Sequence, residues 1–180
     1  DGIQIRSFIT TQSVKQLPEY LKEFALDPEG WHLPGSSETF CLDEIDEEAD
    51  YHKVFYKDRW IKEDLSQRKI KNGAKPLEQH LIVSFSPKYQ SYQRKIRKGQ
   101  IDRAQKLIDS GNYKQRPKNQ NDPHRFIVRE KATKAGEICS EELVYLDTDA
   151  ILEEERYDGF YAVCTNLSDM SVDEIIKINK

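Results

Sequence analysis

Paired carboxylates are the first residues of this sequence whose type and spacing could do chemistry. Asp147-Thr148-Asp149 has the spacing of motifs that bind Mg²⁺ together with the phosphates of a nucleotide. The same residues are also typical of a helix start, where acidic side chains accept hydrogen bonds from free backbone N–H groups and complement the helix dipole. Because Asp-x-Asp tripeptides are common, the helix start is the preferred interpretation.

Two other acidic features have structural interpretations. The run from Asp43 to Glu48 lacks the glycine and the ligand spacing of an EF-hand, so we expect a solvated acidic loop. Asp158 stands in an Asp-Gly dipeptide and is interpreted as a turn residue. We therefore expect no metal site in this chain.

The cysteine pattern favours reduced thiols. The three cysteines are widely separated and have no CxxC partner, and the four histidines show no ligand spacing either. Free thiols are typical of a cytoplasmic protein. No run approaches the 18 or so apolar residues of a membrane span, so we expect no membrane partner. The cysteines are Cys41, Cys139 and Cys164.

Cationic side chains are concentrated in the middle of the chain. Residues 51–131 hold 21 basic and 8 acidic side chains, whereas residues 1–50 hold 3 and 12, and residues 132–180 hold 4 and 12. The net charge of −4 conceals this segregation. It indicates either a middle segment that faces a polyanion or acidic ends that fold against that segment.

The densest cationic stretch coincides with the longest helical pattern, residues 88–109. Cations at this density can neutralise backbone phosphates, so this stretch is the candidate DNA-binding element. An ordinary amphipathic helix with a solvated basic face is the alternative. Tyr89, Tyr92 and Ile96 fall on the apolar stripe of this helix, and the two tyrosines are expected in the core rather than stacked on bases. The candidate DNA-binding residues are Lys88, Arg94, Lys95, Arg97, Lys98, Arg103 and Lys106.

The elements that must position these residues alternate irregularly. Without a regular strand–helix–strand repeat, the pattern predicts an α+β fold with a mixed, largely antiparallel sheet and several helices. Strands are predicted over residues 3–11, 51–56, 77–86, 126–131, 143–146 and 160–167, and helices over 16–26, 58–70, 88–109, 147–155 and 171–180.

The last predicted helix has a clear start. Ser171 is its expected N-cap and Glu174 stands at the capping-box position. The helix lacks a stop signal within its two or three turns, and the chain begins at Asp1 without a methionine. We therefore expect this chain to be a piece of a longer protein.

The segment YDGFYAVCTNL at 157–167, followed by DEIIKINK at 173–180, carries a family resemblance. Together with the N-terminal GIQIRSFITT, the YHKVFYKDRWIK stretch and VREKAT, it resembles the DDE transposases of bacterial insertion sequences. The branch in question has an RNase H-like catalytic core that carries a strand-rich insertion. The resemblance covers essentially the whole chain.

The resemblance implies a domain organisation. Residues 1–17 contain a core strand, residues 18–156 form the insertion, and residues 157–180 contain a second core strand and the start of the helix that leads to the catalytic Glu. Asp158, Gly159, Thr165 and Asn166 are then expected to position that helix, and a direct DNA contact by Thr165 or Asn166 is the weaker alternative.

The resemblance also implies that the chemistry lies outside this chain. In such enzymes three carboxylates hold two Mg²⁺ or Mn²⁺ ions for DNA cleavage and strand transfer. The first two Asp precede the strand at residues 3–12, and the Glu follows Lys180 in an Arg-Trp-x-Ile-Glu motif. None of the three is present, so we assign no catalytic residue and no metal, and exclude Asp147, Asp149 and Asp158 from the set.

The implied function is that of a DNA transposase fragment from a mobile element that acts in DNA recombination. Its partners in the full-length protein are DNA, as transposon ends and target, and further copies of itself in the transposition complex. The fragment is expected to contribute DNA contact and to be inactive alone. The alternative is a stand-alone α+β protein-interaction module without a DNA role; a nucleotide-dependent transferase that uses Asp147 and Asp149 is a third, weaker option.

Overall fold

The structure, a computed structural model, describes residues 7–62, 78–117, 119, 121–131 and 142–178. The described residues form an α+β protein with four α-helices, a six-stranded antiparallel sheet and a two-stranded hairpin, which confirms the predicted α+β class. The sheet is predicted to be mixed, but every strand pair among the described residues is antiparallel. They divide into two compact units, one from Asp1–Gln90 and Gly159–Lys180 and the other from Ser91–Asp158. Within these described segments, no helix combines the length and apolarity that crossing a bilayer requires.

The first unit contains the six-stranded sheet. Its strand order is β1-β8-β5-β4-β2-β3, and every neighbouring pair is antiparallel. The strands are β1 (Ile9–Gln12), β2 (Trp31–His32), β3 (Thr39–Phe40), β4 (Phe55–Ile61), β5 (Gln79–Phe85) and β8 (Phe160–Thr165), and the helices are α1 (Glu19–Leu26), the first turn of α2 (Pro87–Asp109) and α4 (Val172–Ile178).

Strand β5 is the centre of this sheet. All seven of its residues are buried, because β4 pairs with one edge, β8 pairs with the other, and side chains cover both faces. The near-continuous apolar run LIVSF predicts such a strand, and the structure confirms it. The predicted strands at 3–11 and 160–167 are confirmed over Ile9–Gln12 and Phe160–Thr165, whereas residues 1–6 lie outside the described part.

The two faces of the sheet are buried differently. On one face Ile82 and Val163 pack against Ile175 and Ile176 of α4. Elsewhere in the sheet, the fully buried Trp31 ring lies 6.3 Å from the ring centroid of Phe85 in an edge-on contact. Aromatic side chains thus supply much of the core volume that the low apolar fraction of the sequence would otherwise leave unfilled.

The buried side chain of Lys57, on strand β4, contacts the C-terminal end of helix α1. Lys57 Nζ donates to the carbonyl oxygen of Asp27 at 2.7 Å and lies 5.0 Å from the ring centroid of Trp31. Burial lowers the pKa of Lys57, and the nearby Asp27 carboxylate partly offsets this. The ammonium group therefore satisfies a carbonyl at the C-terminus of α1 that would otherwise lack a partner.

One predicted helix is wrong where the structure describes it. Residues 58–61 belong to β4, which pairs with β5 from Phe55 opposite Phe85 to Ile61 opposite Gln79. Side chains at 55, 57 and 61 are buried, and the Trp60 ring stacks on His80 of the neighbouring strand with centroids 4.7 Å apart. Such cross-strand pairs stabilise a strand despite its charged sequence. Residues 63–70 of the predicted helix lie outside the described part.

The second unit contains the rest of α2, the hairpin and one further helix. The hairpin strands pair from Ile127 opposite Leu146 to Lys131 opposite Glu142. Phe126, which precedes the hairpin, is fully buried, and the guanidinium carbon of Arg125 lies 4.0 Å from its ring centroid. The elements are β6 (Ile127–Lys131), β7 (Glu142–Leu146) and α3 (Thr148–Glu155).

The two units do not coincide with the domain bounds that the family resemblance implies, namely 1–17, 18–156 and 157–180. Residues 18–90 share a unit with β1, β8 and α4, and β5 pairs directly with β8. The sheet is therefore built jointly from the segment expected to be an insertion and from the strands expected to flank it. The assignment of residues 18–156 as an insertion stays a prediction.

Cys164 provides a test of how β8 is packed. Its side chain is 1% exposed, and burial raises the pKa of its thiol to about 11. At pH 8 only about one thiol in a thousand is then ionised. In a Cys41→Ser, Cys139→Ser variant, we expect a thiol reagent to label Cys164 only at the rate of unfolding. Labelling at the rate of a model thiol in the folded protein would contradict the buried position.

Candidate nucleic-acid interface

Helix α2 carries the candidate DNA-binding residues. It spans 23 residues, Pro87–Asp109, which confirms the predicted helix over 88–109. Its end is sharply defined, since Gly111 adopts φ of 73° and the Asn112 N–H donates to the Leu107 carbonyl oxygen at 2.9 Å. The Gly111 N–H donates to Ile108 O at 3.0 Å, which completes a Schellman motif.

Six of the seven predicted cations are exposed on α2. Lys88 lies in the first turn, which belongs to the first unit, and the other five belong to the second. Exposed ammonium and guanidinium groups along one helix can contact successive phosphates of a nucleic-acid backbone. The DNA contact itself stays a prediction. The five exposed cations of the second unit are Arg94, Lys95, Lys98, Arg103 and Lys106.

Arg97 is the exception, because its guanidinium is buried. The side chain forms two parallel hydrogen bonds to Asp158, from Nη1 to Oδ1 at 2.7 Å and from Nη2 to Oδ2. Glu155 lies further away, with Oε1 3.6 Å from Nη2. The bond to Asp158 raises the pKa of Arg97, which therefore stays charged. Arg97 is thus engaged inside the second unit and does not belong to the exposed cationic surface.

The pairing also changes the interpretation of Asp158. The residue is 3% exposed and binds an arginine 61 positions earlier in the chain. No local pattern signals this partner, since Arg97 looks like its neighbours in a basic run. Helical spacing could have indicated that Arg97 is buried, although not by which partner. Arg97, Gln100 and Ala104 stand at i, i+3 and i+7, and all three are buried.

A second polar contact fixes the same side of α2. Arg125 Nη2 donates to Gln100 Oε1 at 2.7 Å, and its Nε donates to Glu154 Oε1 at 3.0 Å. The buried side of α2 in this unit is therefore partly polar, and arginine–carboxylate pairs hold it to α3 and to the turn before β8.

The apolar stripe of α2 does not coincide with its buried side. Tyr92 is 58% exposed, so the prediction that it lies in the core is wrong, and Ile96 of the same stripe is 42% exposed. Tyr89, in the first unit, is 38% exposed and makes an edge-on contact with Tyr161 at 6.1 Å between centroids. Because Arg97 and Gln100 occupy the buried side, the aromatic and aliphatic residues of this stretch face outward.

A cavity of about 640 Å³ lies beside the C-terminal half of α2. Two cations and several polar groups line it, and Asp122 holds His124 with 2.7 Å between Oδ1 and Nδ1. Leu107 and Pro123 also line it, so cationic, anionic and apolar groups all contribute to its wall. Its polar and charged lining residues include Arg103, Lys106, Ser110, Asn121, Asp122 and His124.

Asp147 and Asp46, which belong to the two acidic motifs of the sequence, have structural roles. Asp147 is the N-cap of α3, and its Oδ1 accepts from the Ala150 N–H at 2.9 Å, which confirms the helix start. In the acidic loop, Asp46 Oδ1 accepts from the Glu48 N–H at 2.9 Å. Among the described residues, no group of three or more His, Cys, Asp or Glu side chains could hold a metal ion. The donor set for a pair of divalent ions is therefore not found in this part of the chain.

The residues at the end of β8 fix the neighbouring strand. Thr165 Oγ1 donates to the Phe8 carbonyl oxygen at 2.6 Å, and Asn166 Oδ1 accepts from the Phe8 N–H at 2.9 Å. The Leu167 N–H also donates to Thr165 Oγ1 at 3.1 Å. These contacts hold the chain before β1 against the end of β8, which is a structural role within the first unit.

The start of α4 follows the sequence prediction. The Ser171 N–H donates to Glu174 Oε2 at 2.9 Å, and the Glu174 N–H donates to Ser171 Oγ at 3.3 Å. This is the reciprocal capping box. The hydrogen bonds from Ser171 lower the pKa of Glu174.

Comparison of the chain with models of known protein families, with curated proteins and with solved structures finds no match in any of the three.

Proposed function

We propose that this chain is part of a DDE transposase, in which it contributes DNA contact through the exposed cations of α2. The observation that carries the proposal is the outward position of Arg94, Lys95, Lys98, Arg103 and Lys106 along one helix. Cleavage and strand transfer belong to carboxylates elsewhere in the full-length protein.

The arrangement of the first unit supports the RNase H-like part of the proposal. Strand β8 leads directly into α4, and β1 lies beside β8 in the same sheet. In the proposed parent enzyme, α4 is the start of the helix that carries the catalytic Glu. The capping box and the packing of Ile175 and Ile176 on the sheet would fix the direction of that helix.

The metal part of the proposal concerns the parent enzyme only. Among the described residues, Asp147 is a helix cap, Asp158 pairs with Arg97, and no group of three or more potential ligands could hold a metal ion. In this proposal, the carboxylates that hold Mg²⁺ or Mn²⁺ are those that the resemblance implies for the rest of the parent enzyme. Self-association and a cytoplasmic location belong to the same proposal; the first follows from the resemblance and the second from the cysteine pattern.

The expected DNA affinity is electrostatic and independent of sequence. Each phosphate contact releases counterions, so the logarithm of the binding constant falls with the logarithm of salt concentration by about 0.9 per contact. The exposed cations of α2 should therefore give binding that is measurable at low salt and weakens steeply as salt is added.

Neutralising three of these cations tests the proposal. For the variant Lys95→Gln, Lys98→Gln, Lys106→Gln, we expect weaker duplex binding and a salt slope shallower by about 2.7. Fluorescence anisotropy with a labelled duplex across a salt titration measures both quantities. Because the three side chains are exposed, the thermal stability of the variant should change little.

A matched control carries the same charge change elsewhere. The variant Lys53→Gln, Lys62→Gln, Lys177→Gln removes three exposed lysines of the first unit. If both variants lose affinity equally, the effect reflects net charge and not the α2 surface. If the parent chain binds no duplex at low salt, the DNA role proposed for α2 is wrong.

The second candidate, an interaction module without a DNA role, has one observation in its favour. Arg97 and Arg125 pair with Asp158 and Glu154, so part of the basic middle does bind the acidic C-terminal third. Under this alternative, the unsubstituted chain should bind no duplex even at low salt, whereas the transposase proposal expects binding. The anisotropy titration of the unsubstituted chain therefore separates the two candidates.

A further inference from the structure

Helix α2 presents a mixed basic and apolar face to solvent in the second unit. We use the name outer face for six residues at i, i+3, i+4, i+7, i+11 and i+14, a spacing that places them on one side of a helix. These six residues are Tyr92, Lys95, Ile96, Gly99, Arg103 and Lys106. Three of the six are cations and Asp102 is the acidic neighbour on this side, so the net charge of the face is positive.

Tyr92 is the most exposed large side chain of the outer face. It is 58% exposed, and Ile96 beside it is 42% exposed. An exposed aromatic ring with cations three positions and eleven positions further along the helix has the two components of a nucleic-acid strand site, a stacking platform and phosphate contacts.

The glycine at position 99 is a second, independent observation that points to a ligand at the outer face. It lies in the interior of a 23-residue helix, where glycine is less favourable than alanine. A Cβ atom added at Gly99 would meet no heavy atom within 4 Å, so packing does not require glycine here. The backbone conformation does not require it either, because Gly99 is not among the glycines with positive φ. A ligand that approaches the helix backbone closely from outside would explain why glycine stands at this position.

The positive charge and the exposed aromatic ring of the outer face indicate which kind of ligand it binds. Positive charge around the exposed ring favours a polyanion over an apolar surface. In a duplex the base faces are stacked on one another, and a helix that contacts the backbone meets phosphates and sugars. A tyrosine ring can stack only on a base that is not enclosed in this way.

We propose that the outer face of α2 binds a nucleic-acid strand with unpaired bases, with one base stacked on Tyr92 and the sugar-phosphate backbone close to Gly99. Lys95 and Arg103 contact the phosphates on either side. The Arg103 Nε–H already donates to the Gly99 carbonyl oxygen at 3.0 Å, which directs the guanidinium toward this part of the helix. This inference rests on the proposed DNA contact and adds a preference for single-stranded over double-stranded DNA.

The first test compares the full chain with Tyr92→Ala on two probes, an oligothymidylate of about 16 nucleotides and a duplex of the same length. We expect the substitution to weaken oligothymidylate binding about 5- to 150-fold, the range for the loss of one stacked base. Duplex affinity should change by less than about twofold, because the ring makes no duplex contact. Tyr92→Phe keeps the ring and should keep the affinity.

A matched control is Tyr145→Ala, which removes a tyrosine that is 43% exposed in the same unit but lies on β7. It should leave both affinities unchanged. If Tyr92→Ala and Tyr145→Ala are indistinguishable on oligothymidylate, the stacking site is wrong, while duplex binding by the chain would still support the proposed function. If the chain binds neither probe, the proposed function fails as well.

The second test uses the open space beside Gly99. Gly99→Ala should stabilise the folded chain, raising Tm by about 2–4 °C, because it improves helix propensity without a clash. The same substitution should weaken oligothymidylate binding, since the methyl group stands where the strand approaches. A variant that is more stable and binds equally well would overturn the close approach. Binding of an acidic peptide that is lost equally on Tyr92→Ala would overturn the inference in favour of a protein partner.

Discussion

Replacing Asp158 by alanine is expected to lower the free energy of unfolding by about 3–5 kcal/mol. The substitution removes both hydrogen-bond acceptors of the Arg97 guanidinium, whose side chain is 7% exposed. A buried charge without its partner loses the attraction that compensates for its lost hydration. Urea unfolding followed by circular dichroism measures the change.

Glu155→Ala is the matched control for this prediction. Glu155 is half-exposed, and its Oε1 lies 3.6 Å from Nη2 of the same arginine. Because a solvated pair contributes little, we expect a loss below about 1 kcal/mol. The double variant Arg97→Met, Asp158→Leu should recover much of the loss, since it removes both charges together. Equal losses for Asp158→Ala and Glu155→Ala would show that the bidentate pair does not dominate.

Gly159→Ala should have a second large effect, for a reason that concerns space rather than charge. Gly159 adopts φ of 85°, and an added Cβ would lie 2.7 Å from Cε2 of Phe85 and 2.9 Å from Cβ of Gln90. The left-handed backbone costs about 1–2 kcal/mol for a residue with a side chain, and overpacking adds about 1–3 kcal/mol. We expect a combined loss of about 2–5 kcal/mol in thermal or urea unfolding.

Gly35→Ala separates the two contributions. Gly35 has a similar φ of 78°, but nothing lies within 4 Å of its added Cβ. This variant should therefore lose only the backbone contribution, about 1–2 kcal/mol. If Gly159→Ala loses no more than Gly35→Ala, then Phe85 and Gln90 move aside at no cost and the close packing at the start of β8 is not as described.

Elements with a single strong local signal could be predicted from the sequence. The apolar run of β5, the helical pattern of α2, the Asp147 cap and the Ser171–Glu174 capping box are determined within a few residues, and the structure has each of them. In these places propensity, capping and burial favour the same conformation.

Strand β4 could not be predicted in the same way. Its sequence, FYKDRWI, contains two cations and an aspartate, and Trp60 and Ile61 also fit a helical pattern. The strand forms because β5 supplies seven backbone partners and because Lys57 finds carbonyl oxygens at the end of α1. Both contacts are made by residues distant in sequence, which a local pattern cannot contain.

The exposure of the candidate residues could be predicted in part, whereas their contact with DNA stays a prediction. Basic composition identified α2, and the structure leaves six of its seven cations exposed. The orientation of the helix was missed, because hydrophobic periodicity assumes that apolar residues face inward. In the second unit, carboxylates and an amide stabilise a polar inner side through Arg97, Gln100 and Arg125, and Tyr92 is turned outward as a result.

The strand order of the large sheet has a consequence for the order of folding. Strand β4 precedes β5 in the chain, so β5 has a partner for one edge as soon as it is made, but its other edge waits until synthesis reaches β8 at Phe160. Until then the unpaired edge of β5, a strand whose centre is the apolar run Leu81–Val83, is open to pairing with other chains. Closing the sheet late, through contacts between distant residues, also slows folding. A ribosome-bound chain that ends before β8 should therefore depend on chaperones far more than the finished one.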